Sequence, residues 1–97
     1  MRLVWSPEAR RTLIEIRDQL TADASEAVAL QQIERIRDAA RLLLQVPRMG
    51  RRVEPERRDD LRVIPVRPRW VYYRIGDTAI EIVTIKHYRQ EDALRSE

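Results

Sequence analysis

Apolar residues recur along this chain with two different periods, and the change between them separates a helical half from a strand half. Leu3, Val4 and Trp5 form a short apolar run suited to a strand. Ala9, Leu13, Ile16 and Leu20 then follow at helical spacing and mark one buried stripe, with Arg10, Arg11, Glu15 and Asp18 mainly outside it. Ser6-Pro7-Glu8 supplies the start. Ser6 accepts from an orphan backbone N–H, Pro7 fits the first helical position, and Glu8 meets the positive end of the macrodipole. This helix is predicted to end near Thr21, with Thr21-Ala22-Asp23-Ala24 as a short connection. Ser25 and Glu26 cap a second helix, whose stripe of Ala29, Ile33, Ile36, Ala40 and Leu43 continues until Pro47 forbids it. Two amphipathic helices joined by a short loop form an antiparallel hairpin.

Beyond Pro47 the helical period is lost. The stretch up to Asp60 is polar, rich in acids and arginine, and reads as a loop of about a dozen residues, functional or mobile. Residues 61–67, 70–75 and 79–85 read as three strands rich in branched and aromatic side chains. Arg67-Pro68-Arg69 and Gly76-Asp77-Thr78 are the turns, so the strands form an antiparallel meander. Pro65 has no N–H to give a ladder, which makes its strand an edge there or bulged. The last strand is apolar on both faces in its middle and belongs inside the sheet. The expected fold is α+β: an N-terminal strand, an antiparallel helical hairpin and a three-stranded antiparallel meander, with the helices packed on one face of the sheet. Residues 1–97 are expected to make a single domain, too small for a large catalytic cavity.

Composition narrows the function. The absence of cysteine removes disulfides and thiol nucleophiles and fits a reducing, cytoplasmic setting. No apolar h-region opens the chain, and no window approaches the roughly 20 apolar residues of a spanning helix, so neither export nor a membrane is expected. With two glycines no Walker-type loop is possible, and a single histidine offers no zinc pair; no cofactor or metal is expected. Of nineteen basic residues all but Lys86 are arginine, whose planar fork suits carboxylates or phosphates; a coding bias toward arginine explains the same count. From Pro47 to Arg74 nine arginines face Glu54, Glu56, Asp59 and Asp60, a balance of +5 in a chain of net charge +3. Arg48, Arg51 and Arg52 in that segment are either a clamp on an acidic partner or phosphate backbone, or a solvated loop pairing locally.

Lys86-His87-Tyr88-Arg89 holds the only lysine and the only histidine, directly after the last strand. Metal-free ribonuclease chemistry needs a base, a cation for the charged phosphorane and an acid for the leaving oxygen. Lys86, His87 and Tyr88 offer base or acid, and Arg62, Arg74 or Arg89 the cation; the competing reading is the polar end of a core strand. Strict alternation puts Ile80, Ile82, Thr84, Lys86 and Tyr88 on one face and Glu81, Val83, Ile85, His87 and Arg89 on the other. His87 and Tyr88 are then divided. Trp5, Trp70, Tyr72 and Tyr73 suit base stacking, but with no phenylalanine present most are expected to fill the core.

The ordered set Val4-Trp5-Ser6-Pro7-Glu8-Ala9, Leu42-Leu43-Leu44-Gln45-Val46-Pro47, Met49-Gly50-Arg51, Asp60-Leu61-Arg62, Val71-Tyr72-Tyr73-Arg74-Ile75 and Ile82-Val83-Thr84-Ile85-Lys86-His87 resembles the RelE/ParE superfamily of type II toxin–antitoxin toxins. The match spans nearly the whole chain, and Trp-Ser-Pro-x-Ala, Pro-x-x-Gly-Arg and a last strand ending in His with Arg close behind are similar to the ParE branch. That resemblance implies a toxin that stalls DNA gyrase on cleaved DNA, arrests growth, takes part in plasmid stabilization and is neutralised by a ParD-like antitoxin in a hetero-oligomer. Partner contacts would then fall among Arg48, Arg51, Arg52, Arg62, Arg74, His87 and Arg89. The RelE branch implies instead a ribosome-dependent mRNA endonuclease, with Arg62, Arg74, Lys86, His87, Tyr88 and Arg89 as its candidate residues. This chain is poorer in lysine than that branch, and its tail from Gln90 to Glu97 is partly acidic.

Overall fold

A computed structural model describes residues 1–56 and 58–90; the acidic tail singled out above falls beyond Gln90, outside the described residues. The order is β1 (Arg2–Trp5), α1 (Pro7–Asp23), α2 (Glu26–Leu42), a 3₁₀ turn (Pro47–Met49), β2 (Arg51–Arg52), β3 (Asp60–Val66), β4 (Arg69–Ile75) and β5 (Ala79–His87). Ser6 caps α1 by accepting from Ala9 N–H at 3.0 Å, and Ser25 caps α2 by accepting from Val28 N–H at 3.1 Å. α1 runs to Asp23 rather than Thr21, because Leu20 C=O takes the Ala24 N–H at 2.9 Å and keeps the last turn helical. The connection shrinks to Ala24 and Ser25.

The sheet has five strands in the order β1-β5-β4-β3-β2. β3, β4 and β5 form the expected antiparallel meander, β1 adds to β5 in parallel, and β2 adds to β3. The stretch after Pro47 is therefore not all loop. Its strand escaped the sequence because only Arg51 and Arg52 pair, opposite Val63 and Arg62, too few to display a period. Val53 N–H donates to Leu61 C=O at 3.0 Å, so odd-numbered β3 residues turn their backbone groups toward β2. Pro65 shares that side and lies beyond the reach of β2, where a missing N–H costs nothing.

Both helices cover one face of the sheet. Ala9, Leu13, Ile16, Ile36, Ala40 and Leu43 meet Ile64, Val66, Val71, Tyr73, Ile80, Ile82 and Ile85 in one core cluster. Only Tyr73 among the aromatic residues is fully buried; Trp5, Trp70 and Tyr72 are half-buried, so the expectation that most rings fill the core gives way. Small and branched aliphatic side chains supply that volume instead.

Tyr73 has a second task. Its hydroxyl accepts from Gly50 N–H at 2.9 Å and donates to Pro47 C=O at 2.6 Å, which pins the chain where it leaves the 3₁₀ turn. Burial pushes the phenol's pKa up, so it stays neutral and makes both bonds. Gly50 is ordinary extended backbone (φ −77°, ψ 151°); what it requires is room. A methyl there would lie 2.7 Å from Val63 C=O and 2.8 Å from the Tyr73 hydroxyl. Among the described residues no helix is long and apolar enough to cross a membrane.

Candidate functional site

One irregularity in β5 decides where the terminal cluster points. Tyr73 pairs with Ile82 and Tyr72 with Thr84, so Val83 has no partner on β4 and forms a bulge. Ser6 holds it from the other side, its hydroxyl donating to Val83 C=O at 2.7 Å and its N–H to Ile82 C=O at 2.9 Å. The helix cap and the bulge are thus one structure. Strict alternation fails at this point: Ile80, Ile82, Ile85 and His87 share the helix-covered face, while Glu81, Thr84 and Lys86 lie opposite. His87 and Tyr88 still part company.

On the uncovered face Trp70 stacks against Tyr88 with ring centroids 4.7 Å apart, and the Arg51 guanidinium sits 6.0 Å from the Trp70 ring. Lys86 is the register partner of Trp70. Tyr88 N–H donates to Pro68 C=O at 3.0 Å, which fixes the end of β5 to the β3–β4 turn. Thr84 is hydrogen-bonded to the Glu8 carboxylate at the start of α1.

Two of the three arginines proposed as cations, Arg62 and Arg74, are engaged within the chain, while Arg89 is exposed beside His87. Arg62 pairs with Asp60 at 2.8 Å and donates to Gly50 C=O at 2.8 Å and Arg48 C=O at 3.4 Å, toward the helix-covered face. Arg74, on the uncovered face, bridges Asp59 at 3.0 Å and its register partner Glu81 at 2.9 Å. Arg52 approaches Asp60 at 3.8 Å. Arg48 and Arg51 are exposed. His87 Nδ1 accepts from Arg89 N–H at 3.2 Å, so the imidazole caps the turn that follows it. Lys86 and Tyr88 therefore share a face with Trp70, while Arg62 and His87 stand on the other. Among the described residues no cluster of three His, Asp or Glu is placed to hold a metal.

A groove lies elsewhere, between the hairpin and β1. Leu3, Trp5, Leu13 and Ile14 line a cavity of about 380 Å³ rimmed by Arg10, Arg37 and Arg41. Ile14 is half exposed there, and β1, at the end of the sheet, has one side unpaired. Ile14 sits outside the stripe the helical period picks out, so the sequence reading passed over it; an apolar residue off-stripe was the available signal.

A hairpin over one face of a mixed five-stranded sheet, with β1 parallel to β5, defines a toxin fold of the RelE/ParE-like class. Residues 3–92 match the family described as the ParE toxin of type II toxin–antitoxin system, parDE, and the chain belongs to that family. It is similar to a chain in a solved structure of a chromosomal ParDE toxin–antitoxin system from P. aeruginosa, with a TM-score of 0.75 and 25% identity over 90% of this chain and 95% of that one. A comparison with curated proteins finds no match.

Proposed function

We propose that this toxin inhibits DNA gyrase by binding it, with no chemical step of its own, and that a cognate antitoxin neutralises it in the cytoplasm. The observation that carries this reading is the dispersal of the groups a nuclease needs. Arg62 is tied to Asp60 and Gly50 on the helix-covered side, Arg74 is held between Asp59 and Glu81, and the His87 Nδ1 is committed to Arg89 N–H. A phosphoryl-transfer site needs base, acid and cation around one reacting atom, whereas Arg74, Lys86 and Tyr88 lie on the uncovered face and Arg62 and His87 on the other.

The antitoxin's place is the groove beside β1. An extended segment adding to the open edge would lay apolar side chains on Leu13 and Ile14 and acidic ones against Arg10 and Arg37. Titrating purified gyrase with the toxin tests the main claim. Supercoiling should fall while cleaved DNA accumulates on the enzyme, and antitoxin should reverse both. Unaffected supercoiling with no cleaved complex would overturn it.

A second reading has one observation in its favour: Lys86, Tyr88, Trp70 and Arg51 share the uncovered face, where a base could stack beside cations. As a ribosome-dependent mRNA endonuclease, the protein would lose cleavage on Tyr88→Phe and His87→Ala while staying folded. Intact transcripts after induction of the toxin would dispose of that reading.

A further inference from the structure

The far end of the helix-covered face holds a cavity of about 480 Å³ between α1 and the ends of β4 and β5. Its polar lining comes from Thr12, Glu15 and Gln19 on α1 and from Arg69, His87, Arg89 and Gln90 below. Arg69 and His87 are register partners across β4 and β5, and Val71 and Ile85 continue the same face into the core. Their side chains are set next to one another by the ladder.

Arg69 is unlike the other half-buried arginines. Arg62 and Arg74 both pair with carboxylates, whereas Arg69 has no ion pair or side-chain hydrogen bond among the described residues. Burial lowers its pKa, and among the described residues no acid opposes that effect. A guanidinium held partly out of water without a counter-charge is a cost to the fold that an anion would relieve. His87 adds to the site. With Nδ1 accepting from Arg89 N–H, the neutral imidazole carries its proton on Nε2, the ring's remaining donor. Gln90 Oε1 accepts from His87 N–H at 2.9 Å and steadies the ring's backbone. Among the described residues that line the cavity, one acid, Glu15, stands against these donors.

We propose that this cavity binds a phosphate group, with Arg69 and Arg89 supplying charge and His87 Nε2, Gln19 and Thr12 supplying neutral donors. A carboxylate offers two oxygens in one plane, which a single guanidinium satisfies. Donors arriving from a helix on one side and two strand ends on the other suit a tetrahedral anion with three or more free oxygens. The phosphate belongs either to a free nucleotide or to a nucleic-acid backbone, and the two share this chemistry.

Isotope-labelled protein titrated at constant ionic strength with inorganic phosphate, a 5′-mononucleotide and a single-stranded DNA oligonucleotide tests the site. Saturable shifts of the His87 ring and Arg69 side-chain signals are expected with phosphate, at a Kd on the order of 1 mM. Arg69→Gln should weaken binding about tenfold or more, as expected when a charged hydrogen-bonding partner is lost. Arg89→Gln, at an exposed position where the backbone N–H rather than the side chain meets His87 Nδ1, should do the same, and Glu15→Gln should tighten binding. The tighter of the two nucleic-acid arms identifies the source. No saturable shift with any of the three ligands overturns the proposal, as does an equal loss from Arg17→Gln, which removes the same charge from the exposed surface of α1.

Discussion

Replacing Ser6 with alanine removes two interactions that a routine helix cap does not combine. One is the cap, in which Ser6 Oγ accepts from Ala9 N–H at 3.0 Å; losing such a cap costs about 1 kcal/mol. The other is the bond from the same hydroxyl to Val83 C=O at 2.7 Å, 77 residues away in sequence. Val83 has no register partner on β4, and stripping the donor from a part-buried carbonyl costs about another 1 kcal/mol. The expected loss is about 2 kcal/mol, or about 10 °C in Tm for a domain of this size.

Ser25→Ala is the internal control. Its hydroxyl also caps a helix, accepting from Val28 N–H at 3.1 Å, but among the described residues no second bond from it accompanies the cap. It should cost about 1 kcal/mol. Urea unfolding of wild type, both variants and Ser6→Thr, which keeps the hydroxyl, separates cap from bulge. Chemical shifts of His87 add a second readout, because a loosened bulge would disturb the residues beyond it. If Ser6→Ala and Ser25→Ala cost the same within about 0.3 kcal/mol, the claim that Ser6 fastens the bulge is wrong.

Gly50→Ala should destabilise by about 1–3 kcal/mol, the range for overfilling a packed site, since the new methyl meets the Val63 carbonyl at 2.7 Å and backbone cannot swing away like a side-chain tip; a neutral result in denaturant unfolding refutes this. Tyr73→Phe leaves Gly50 N–H and Pro47 C=O without their 2.9 and 2.6 Å partners, at an expected cost of about 1–3 kcal/mol. The same tyrosine gives a pH dependence. Because its folded pKa lies above the ordinary 10.0, the unfolded chain loses that proton first, so its contribution is complete below pH 10.0 and declines as pH rises through the folded value. Thermal melts across that window should show a shallower alkaline decline in Tyr73→Phe than in wild type.

The helices were legible because each has a serine cap and an apolar stripe, signals that agree, and Pro47 adds a stop after the second. The meander was legible for the same reason. β1 declared itself as a strand but not as the parallel neighbour of β5, since pairing across 77 residues leaves no local trace. β2 was hidden by its length. Arg69 was read as a turn residue between Pro68 and Trp70, yet the turn closes at Arg67-Pro68 and Arg69 already pairs with Val66 and His87. Alternation, a local rule, failed only at the bulge. There the sequence does carry a mark: Ile80 and Ile82 are two apart, and the next core isoleucine, Ile85, is three away.

That extra residue follows from what regular alternation would require. Without it, Ile85 would stand on the uncovered face, Thr84 would take its buried place opposite Val71, and Lys86 would stand beside Arg69. Losing Ile85 from the core, burying a hydroxyl in its place and setting a second cation beside Arg69 cost more than breaking a ladder at one position, especially when the freed carbonyl finds the Ser6 hydroxyl. The bulge is therefore the lower-energy solution for this sequence, and its consequence is functional. It sends Lys86 to Trp70 and Tyr88 on one side and His87 to Arg69 on the other, so four adjacent residues that resemble a single active centre are built into two separate surfaces. Mutation separates the two surfaces: variants confined to Lys86 and Tyr88 should leave the proposed phosphate binding beside His87 unchanged.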